Sequence, residues 1–173
     1  MDNQANSKSI ILNYGLILGI AGVLVNLTIY AMGMHLNPHW SVSILQGALL
    51  IGFILVSIKK YKEANGGFLS WGQGVKVGVG VAIVAGLIGV IYSYLFMTFL
   101  EPDFMNQMME VQNQTMLDQG MTDEQIEAAN EMSKNFQSPG IIAAFAIIGS
   151  AIGGFIVSAI AAAIMKKSEE ETY

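Results

Sequence analysis

The chain has 173 residues, of which 53% are hydrophobic and 12% are charged, with a formal net charge of −5. Its apolar residues lie in blocks of roughly 20, the length that a helix needs to cross a bilayer, so a membrane protein is expected and nucleic acid is not an expected partner. The chain contains no cysteine, which excludes disulfides, thiolate metal ligands, thiol nucleophiles and lipid attachment through cysteine.

The first apolar run covers residues 10–32 and follows a short polar stretch, residues 1–9. A signal peptide is the competing interpretation, but the run exceeds the roughly 7–15 apolar residues of such a segment. Gly15 and Gly19 are four residues apart, a spacing that lets another helix backbone approach closely. The sequence therefore predicts a packed membrane-spanning helix.

The second predicted span covers residues 41–58 and follows a link that contains no lysine. Gln46 lies about five residues inside this span, and Asn26 lies at a similar depth in the first, roughly 8 Å from the end at 1.5 Å per residue. Because an amide in hydrocarbon needs a partner, we expect an Asn26–Gln46 hydrogen bond. The alternative is that the two amides line a path for a solute.

A loop with a high density of lysine separates the second and third spans and predicts the orientation of the chain. Basic residues beside a span stay on the cytoplasmic side. The third span is predicted over residues 70–100, with its first turn in the membrane interface. Ser70 and Gln73 have the S-x-x-Q spacing of a capping box, in which each side chain bonds the other residue's backbone amide.

Residues 101–139 are polar and acidic and predict a helical hairpin outside the membrane. Thr122 and Gln125 form a second capping box, and Gly120 suits the left-handed residue that ends the preceding helix. The last span is predicted over residues 140–165. It carries two neighbouring rows of small residues, Gly149 with Gly153 and Ser150 with Gly154, which predict close helix packing.

Lysine placement supports a single topology for the whole chain. Seven of the eight lysines fall on one side of a four-span arrangement, and Lys134 alone falls on the other. The predicted fold is therefore an all-α integral membrane domain over residues 1–173, with four transmembrane helices, an extracytoplasmic helical hairpin and both termini in the cytoplasm.

Several short motifs resemble a family of small bacterial four-span membrane proteins that is catalogued only as a domain of unknown function. The resemblance covers nearly the whole chain. It rests on Tyr14-Gly15, the segment Ile58-Lys59-Lys60-Tyr61-Lys62, the stretch Gly66-Gly67-Phe68-Leu69-Ser70-Trp71-Gly72-Gln73, and Pro102. Gly74 departs from the alanine usual after that glutamine. The resemblance implies the four-span topology and a location in the bacterial cytoplasmic membrane, but it implies no activity.

Methionine is concentrated in the segments predicted to lie outside the membrane. Thioethers select soft ions such as Cu(I). The residues that could form such a site are Met32, Met34, His35, Met105, Met108 and Met109. The simpler interpretation is that methionine supplies flexible apolar surface for a membrane or a partner protein.

The sequence carries no catalytic motif, and its predicted spans contain no Asp, Glu, Arg or His in their interiors. We therefore expect a protein that is not an enzyme and has no cofactor. We expect it to serve as a structural or accessory subunit, in contact with the lipid bilayer and with a second copy or another membrane protein. The alternative is a membrane protein that handles a small solute or a soft metal through the methionine-rich outer segment.

Overall fold

The structure is a computed structural model that describes residues 6–134 and 136–167. Its helices are α1 (Ser7–Ala31), α2 (Trp40–Ala64), α3 (Trp71–Leu95), α4 (Phe104–Asp118), α5 (Asp123–Lys134) and α6 (Pro139–Met165). A π-helical turn, Phe96–Leu100, extends α3. Four segments, α1, α2, α3 with its extension, and α6, are long and apolar enough to cross a membrane. The predicted fold class is confirmed. Residues 1–5 and 168–173, at the two predicted cytoplasmic termini, lie outside the described residues.

Helix α2 extends beyond the predicted span, to Ala64 instead of residue 58. The added residues include three lysines and a glutamate, which are good helix formers. Tyr61, in this extension, is only 4% exposed. The helix ends before Gly66 and Gly67, whose φ angles of 67° and 86° need glycine.

Both predicted capping boxes have their two hydrogen bonds. At the start of α3, the Gln73 amide donates to Ser70 Oγ (3.2 Å) and the Ser70 amide donates to Gln73 Oε1 (2.9 Å). At the start of α5, the corresponding bonds between Thr122 and Gln125 are 3.0 and 3.4 Å. Gly120 has the expected positive φ of 83°, so the turn between α4 and α5 forms as the sequence indicates.

Helix α3 is the centre of the bundle and packs most extensively against α6 and α1. Small residues face each other along the α3–α6 seam: Gly74 lies opposite Ala162, Gly78 opposite Ser158, and Gly154 opposite Ala82. Without larger side chains between them, the two backbones can approach closely and gain dispersion contacts.

One end of the bundle, where the α2–α3 loop meets the last residues of α6, is tightly packed, and we call it the narrow end. Ile54, Ile58 and Val77 are fully buried there. Lys62 Nζ donates to the Met165 carbonyl (2.7 Å). Leu69 and Lys167 exchange two backbone hydrogen bonds of 2.9 Å each. These bonds tie the loop to the end of α6.

Helices α4 and α5 form a separate pair beside the opposite end, which we call the wide end. They contact each other, and Asn130 Nδ2 donates to Asn113 Oδ1 (3.0 Å). Within the part of the chain that the structure describes, the pair makes few contacts with the four long helices. Its position relative to a membrane remains a prediction.

Candidate functional site

Residues of all four long helices line an open cavity of about 380 Å³ in the half of the bundle nearer the wide end, which we call the central cavity. Three glycines contribute to the cavity because they have no side chain to fill it: Gly22 of α1, Gly89 of α3 and Gly149 of α6 all line it and have open space around them. A volume of this size lies within the usual range for small-molecule sites, roughly 300–1,000 Å³.

A second cavity of about 300 Å³ lies beneath the α1–α2 loop, and we call it the loop cavity. It shares four lining residues with the central cavity: Asn26, Gln46, Tyr92 and Ser93. The two spaces therefore adjoin at a set of neutral hydrogen-bonding side chains contributed by α1, α2 and α3. We call the combined space the vestibule.

Asn26 and Gln46 line the same space but do not form the predicted bond with each other. Asn26 Nδ2 instead donates to the Gly22 carbonyl one turn earlier (2.9 Å). The reason is that the vestibule separates α1 from α2 at this depth, so each amide must find a local partner or face the cavity. The alternative interpretation, two amides beside a space for a solute, matches their positions.

His35, in the α1–α2 loop, lines the loop cavity within a cluster of aromatic rings. Its ring centroid lies 5.0 Å from that of Tyr30, 6.3 Å from Phe96 and 6.2 Å from Phe104. Both imidazole nitrogens are shielded from solvent and lack a hydrogen-bond partner among the described residues. A buried polar group in this condition points to a partner supplied by water or a ligand.

The π-helical turn places part of this cluster. In such a turn the chain gains one residue relative to an α-helix, and the Glu101 amide donates to the Phe96 carbonyl five residues earlier (2.8 Å). Phe96 is thereby turned into the loop cavity, edge-on to Tyr30 with centroids 5.1 Å apart. π-Helical turns within α-helices are frequent at functional sites.

The residues predicted for helix packing fall into two groups. A Cβ atom on Gly15 or Gly19 would come within 2.5 Å of Val84 or Ile88 of α3, so α1 packs closely there. Ser150 lies against Gly86, and Gly154 against Ala82. These four residues are in close helix contacts.

Gly149 and Gly153, the other predicted packing pair, are not in close helix contact in this structure. A Cβ on Gly149 would meet nothing within 4 Å, and one on Gly153 would meet only Leu50, at 3.9 Å. The physical reason is the rotation of α6. Successive residues differ by about 100° around a helix, so when the Ser150–Gly154 row faces α3, the neighbouring row faces the central cavity.

The candidate soft-metal residues occupy different parts of the molecule. His35 lines the loop cavity, Met105 lines a space between α3 and α6, and Met109 lines a space between α4 and α5. Met32, Met34 and Met108 are 65%, 37% and 36% exposed. A soft-metal site formed by these residues stays a prediction.

Tyr92 and Ser93 belong to the site but are absent from the sequence prediction. They are two polar residues in the apolar run of α3, and measured from Leu100, the end of its π-helical extension, they lie at roughly the same depth as Gln46 from the start of α2. Matching the depth of polar residues across all four spans, rather than across the first two, is the signal that could have found them.

The fold and the vestibule define a class: a multi-pass membrane protein built on four apolar helices, with a cavity between them that is lined in part by polar side chains. A family model described as "Protein of unknown function (DUF4199)" matches residues 13–167, so the chain belongs to that family. This confirms the resemblance seen in the sequence. No curated protein and no solved structure matches the chain.

Proposed function

We propose that the protein is not an enzyme and that it binds a small uncharged molecule in the vestibule. The observation that carries the proposal is the lining: amides from α1 and α2, hydroxyls from α3 and the imidazole of His35 line two adjoining cavities. Sites of this kind position a ligand through a few polar groups on an otherwise apolar wall.

The lining also supports a neutral ligand. Asp, Glu, Lys and Arg are absent from the described residues that line the two cavities. A charged molecule at this depth would leave its charge without a partner in a medium of low dielectric constant, which is costly. Amides and hydroxyls can instead donate to and accept from a ligand that carries hydroxyl or carbonyl groups.

The narrow end supports binding rather than passage through the protein. Below the vestibule, Ile54, Val77 and Val81 are fully buried, and the side chains of Ser57 and Ser158 bond backbone carbonyls of their own helices. The vestibule lies nearer the wide end. We propose that this is the extracytoplasmic end of a bacterial cytoplasmic-membrane protein, because the lysine-rich loop lies at the other.

Filling the central cavity tests the proposal. Gly149→Leu places a side chain in the cavity, while Gly52→Leu adds the same side chain at a glycine of α2 that also has open space but lies outside the cavity. Native mass spectrometry of the purified proteins should detect a co-purifying neutral molecule in the wild type and in Gly52→Leu, and lose it in Gly149→Leu. Equal retention in all three proteins would contradict the proposal.

A second candidate function is that of an accessory subunit, favoured by the exposed apolar surface of the α4–α5 pair. Met108, Leu117 and Met132 are 36%, 45% and 71% exposed there. Such a surface suits a second copy of the chain or another membrane protein. A photo-reactive residue at Met132 should then yield a discrete protein adduct in the native membrane, whereas adducts with lipid alone would contradict this role.

A further inference from the structure

A third cavity, of about 550 Å³, lies between α3 and α6 near the wide end, and we call it the lateral cavity. Its walls are mostly apolar and include Ile91, Leu95 and Met97 of the α3 segment and Ile142 and Ala143 of α6. Pro102, Met105 and Gln137 border it from the chain that connects the two helices. The small-residue seam that joins α3 to α6 stops before this level.

The lateral cavity adjoins the vestibule. It shares Val90, Ser93 and Ala146 with the central cavity, and Ser93 and Met97 with the loop cavity. Ser93 lines all three spaces. A molecule held by the polar groups around Ser93 can therefore extend into an apolar space between two membrane-spanning helices without crossing a packed helix interface.

We infer that the ligand is a neutral single-chain amphiphile from the bilayer. Its hydroxyl-bearing head group lies among Asn26, Gln46 and Ser93, and its hydrocarbon tail occupies the lateral cavity. This inference rests on the proposed function and specifies its ligand. The polar cavity is wide enough for a head group and the lateral cavity is apolar, so one molecule of this chemistry matches both spaces.

The chemistry of the lining selects the head group. Asp, Glu, Lys and Arg are absent from the described residues around all three cavities, which disfavours fatty acids and phospholipids because their charged groups would lie unpaired. Asn26 Nδ2 already donates to Gly22, so its Oδ1 offers an acceptor, while Gln46 offers both a donor and acceptors. Hydroxyl groups can satisfy both kinds of partner.

The test uses a monoacylglycerol that carries a diazirine in its acyl chain, added to the full-length protein in phosphatidylcholine nanodiscs. A fatty acid with the same diazirine-bearing chain is the matched probe for the head group. Cross-linked positions are found by mass spectrometry. We expect the monoacylglycerol to label residues around the lateral cavity, and the fatty acid to label them about tenfold less, a difference equivalent to about 1.4 kcal/mol.

Two tryptophan variants separate the cavity from the lipid-facing surface. Ala143 lines the lateral cavity, whereas its neighbour Ala144 is exposed and lies outside it. Ala143→Trp should reduce labelling of the cavity about tenfold, and Ala144→Trp should leave it unchanged. Labelling that is equal in both variants, or equal for both probes, would overturn the inference by indicating bulk lipid contact.

The inference and the proposed function can fail separately. If Gly149→Leu loses a co-purified molecule while Ala143→Trp has no effect on monoacylglycerol labelling, the vestibule binds a ligand that has no tail in the lateral cavity. The amphiphile inference is then wrong and the proposed function stands. If Gly149→Leu changes neither the co-purified molecule nor the labelling, both are wrong.

Discussion

His35 is surrounded by aromatic rings, which supply no hydrogen-bond partner for its two ring nitrogens. The edge-to-face contacts with Tyr30 and Phe96 need only a ring, which phenylalanine also has. Both nitrogens are buried without a partner, a condition that costs about 1–3 kcal/mol in proteins. The presence of a buried imidazole without a hydrogen-bond partner is better explained by a bound ligand or water than by packing.

We therefore predict that His35→Phe leaves the unfolding free energy unchanged or raises it by about 1 kcal/mol, because it removes an unpaired polar group and keeps the ring. The same substitution should reduce ligand retention in native mass spectrometry. Chemical unfolding in mixed micelles measures the first effect. A loss of both stability and retention would mean that the imidazole has a structural role instead.

His39 provides the control for this substitution. It caps α2: the Ser41 amide donates to His39 Nδ1 (3.3 Å), which also lies 2.9 Å from Ser41 Oγ. His39→Phe should remove this cap and cost about 0.5–1 kcal/mol. It should leave ligand retention unchanged, because His39 does not line the vestibule.

At the scale of the helices, the sequence was sufficient for the spans and the caps. Capping boxes and glycine turns depend on residues three or four positions apart, so Ser70 with Gln73 and Thr122 with Gln125 could be assigned from local pattern. The end of α2 could not be assigned from local pattern, because hydropathy marks where the apolar run stops and not where the hydrogen-bonded helix stops.

The vestibule was beyond prediction from pattern because it depends on the rotation of each helix about its axis. Two small-residue rows of α6 are equally suited to close packing by sequence. Only the three-dimensional arrangement decides that Gly154 faces Ala82 while Gly149 faces open space. The same rotation separates Asn26 from Gln46 and leaves both beside the cavity.

Because one row of α6 faces α3 and the other faces the cavity, replacing a glycine by leucine should have opposite effects on the unfolding free energy in the two rows. Gly154→Leu should lower the unfolding free energy by about 1–3 kcal/mol or more, because the new side chain meets Ala82 and the Val79 backbone across the seam. Gly149→Leu should be neutral or stabilising by up to about 1 kcal/mol, because it removes a helical glycine without a clash.

Denaturant titration of both variants in the same mixed micelles makes the comparison direct, with Gly52→Leu as a reference for leucine at an open glycine. If Gly149→Leu proves as destabilising as Gly154→Leu, then α6 presents both rows to other helices, and the central cavity is smaller than described.

At the scale of the whole molecule, the bundle is closed at one end and open at the other. Bonds from Lys62 and Lys167 join the α2–α3 loop to the end of α6, next to a fully buried core. Toward the wide end, glycines with open space around them leave cavities between the helices. A bundle with this asymmetry can hold a ligand that enters from one side or from the surrounding lipid, and we propose that it does.

The absence of native cysteine allows this asymmetry to be measured with single-cysteine variants of the full chain. Ser93→Cys places a thiol where the three cavities meet, and Ser57→Cys places one in the closed core, where Ser57 is 0% exposed. A membrane-impermeant methanethiosulfonate reagent added to intact cells should modify Ser93→Cys and leave Ser57→Cys unmodified.

Combining Ser93→Cys with Gly149→Leu should slow this modification, because the leucine fills the space through which the reagent approaches, whereas Gly52→Leu should have no effect. Modification of Ser93→Cys only after the cells are permeabilised would reverse the proposed orientation. A thiol at position 93 that stays unmodified from both sides would contradict a water-accessible vestibule. The polar groups around Ser93 would then face a dry space, which is costly for amides and hydroxyls without hydrogen-bond partners. The experiment therefore tests the orientation and the accessibility of the site before any ligand is known.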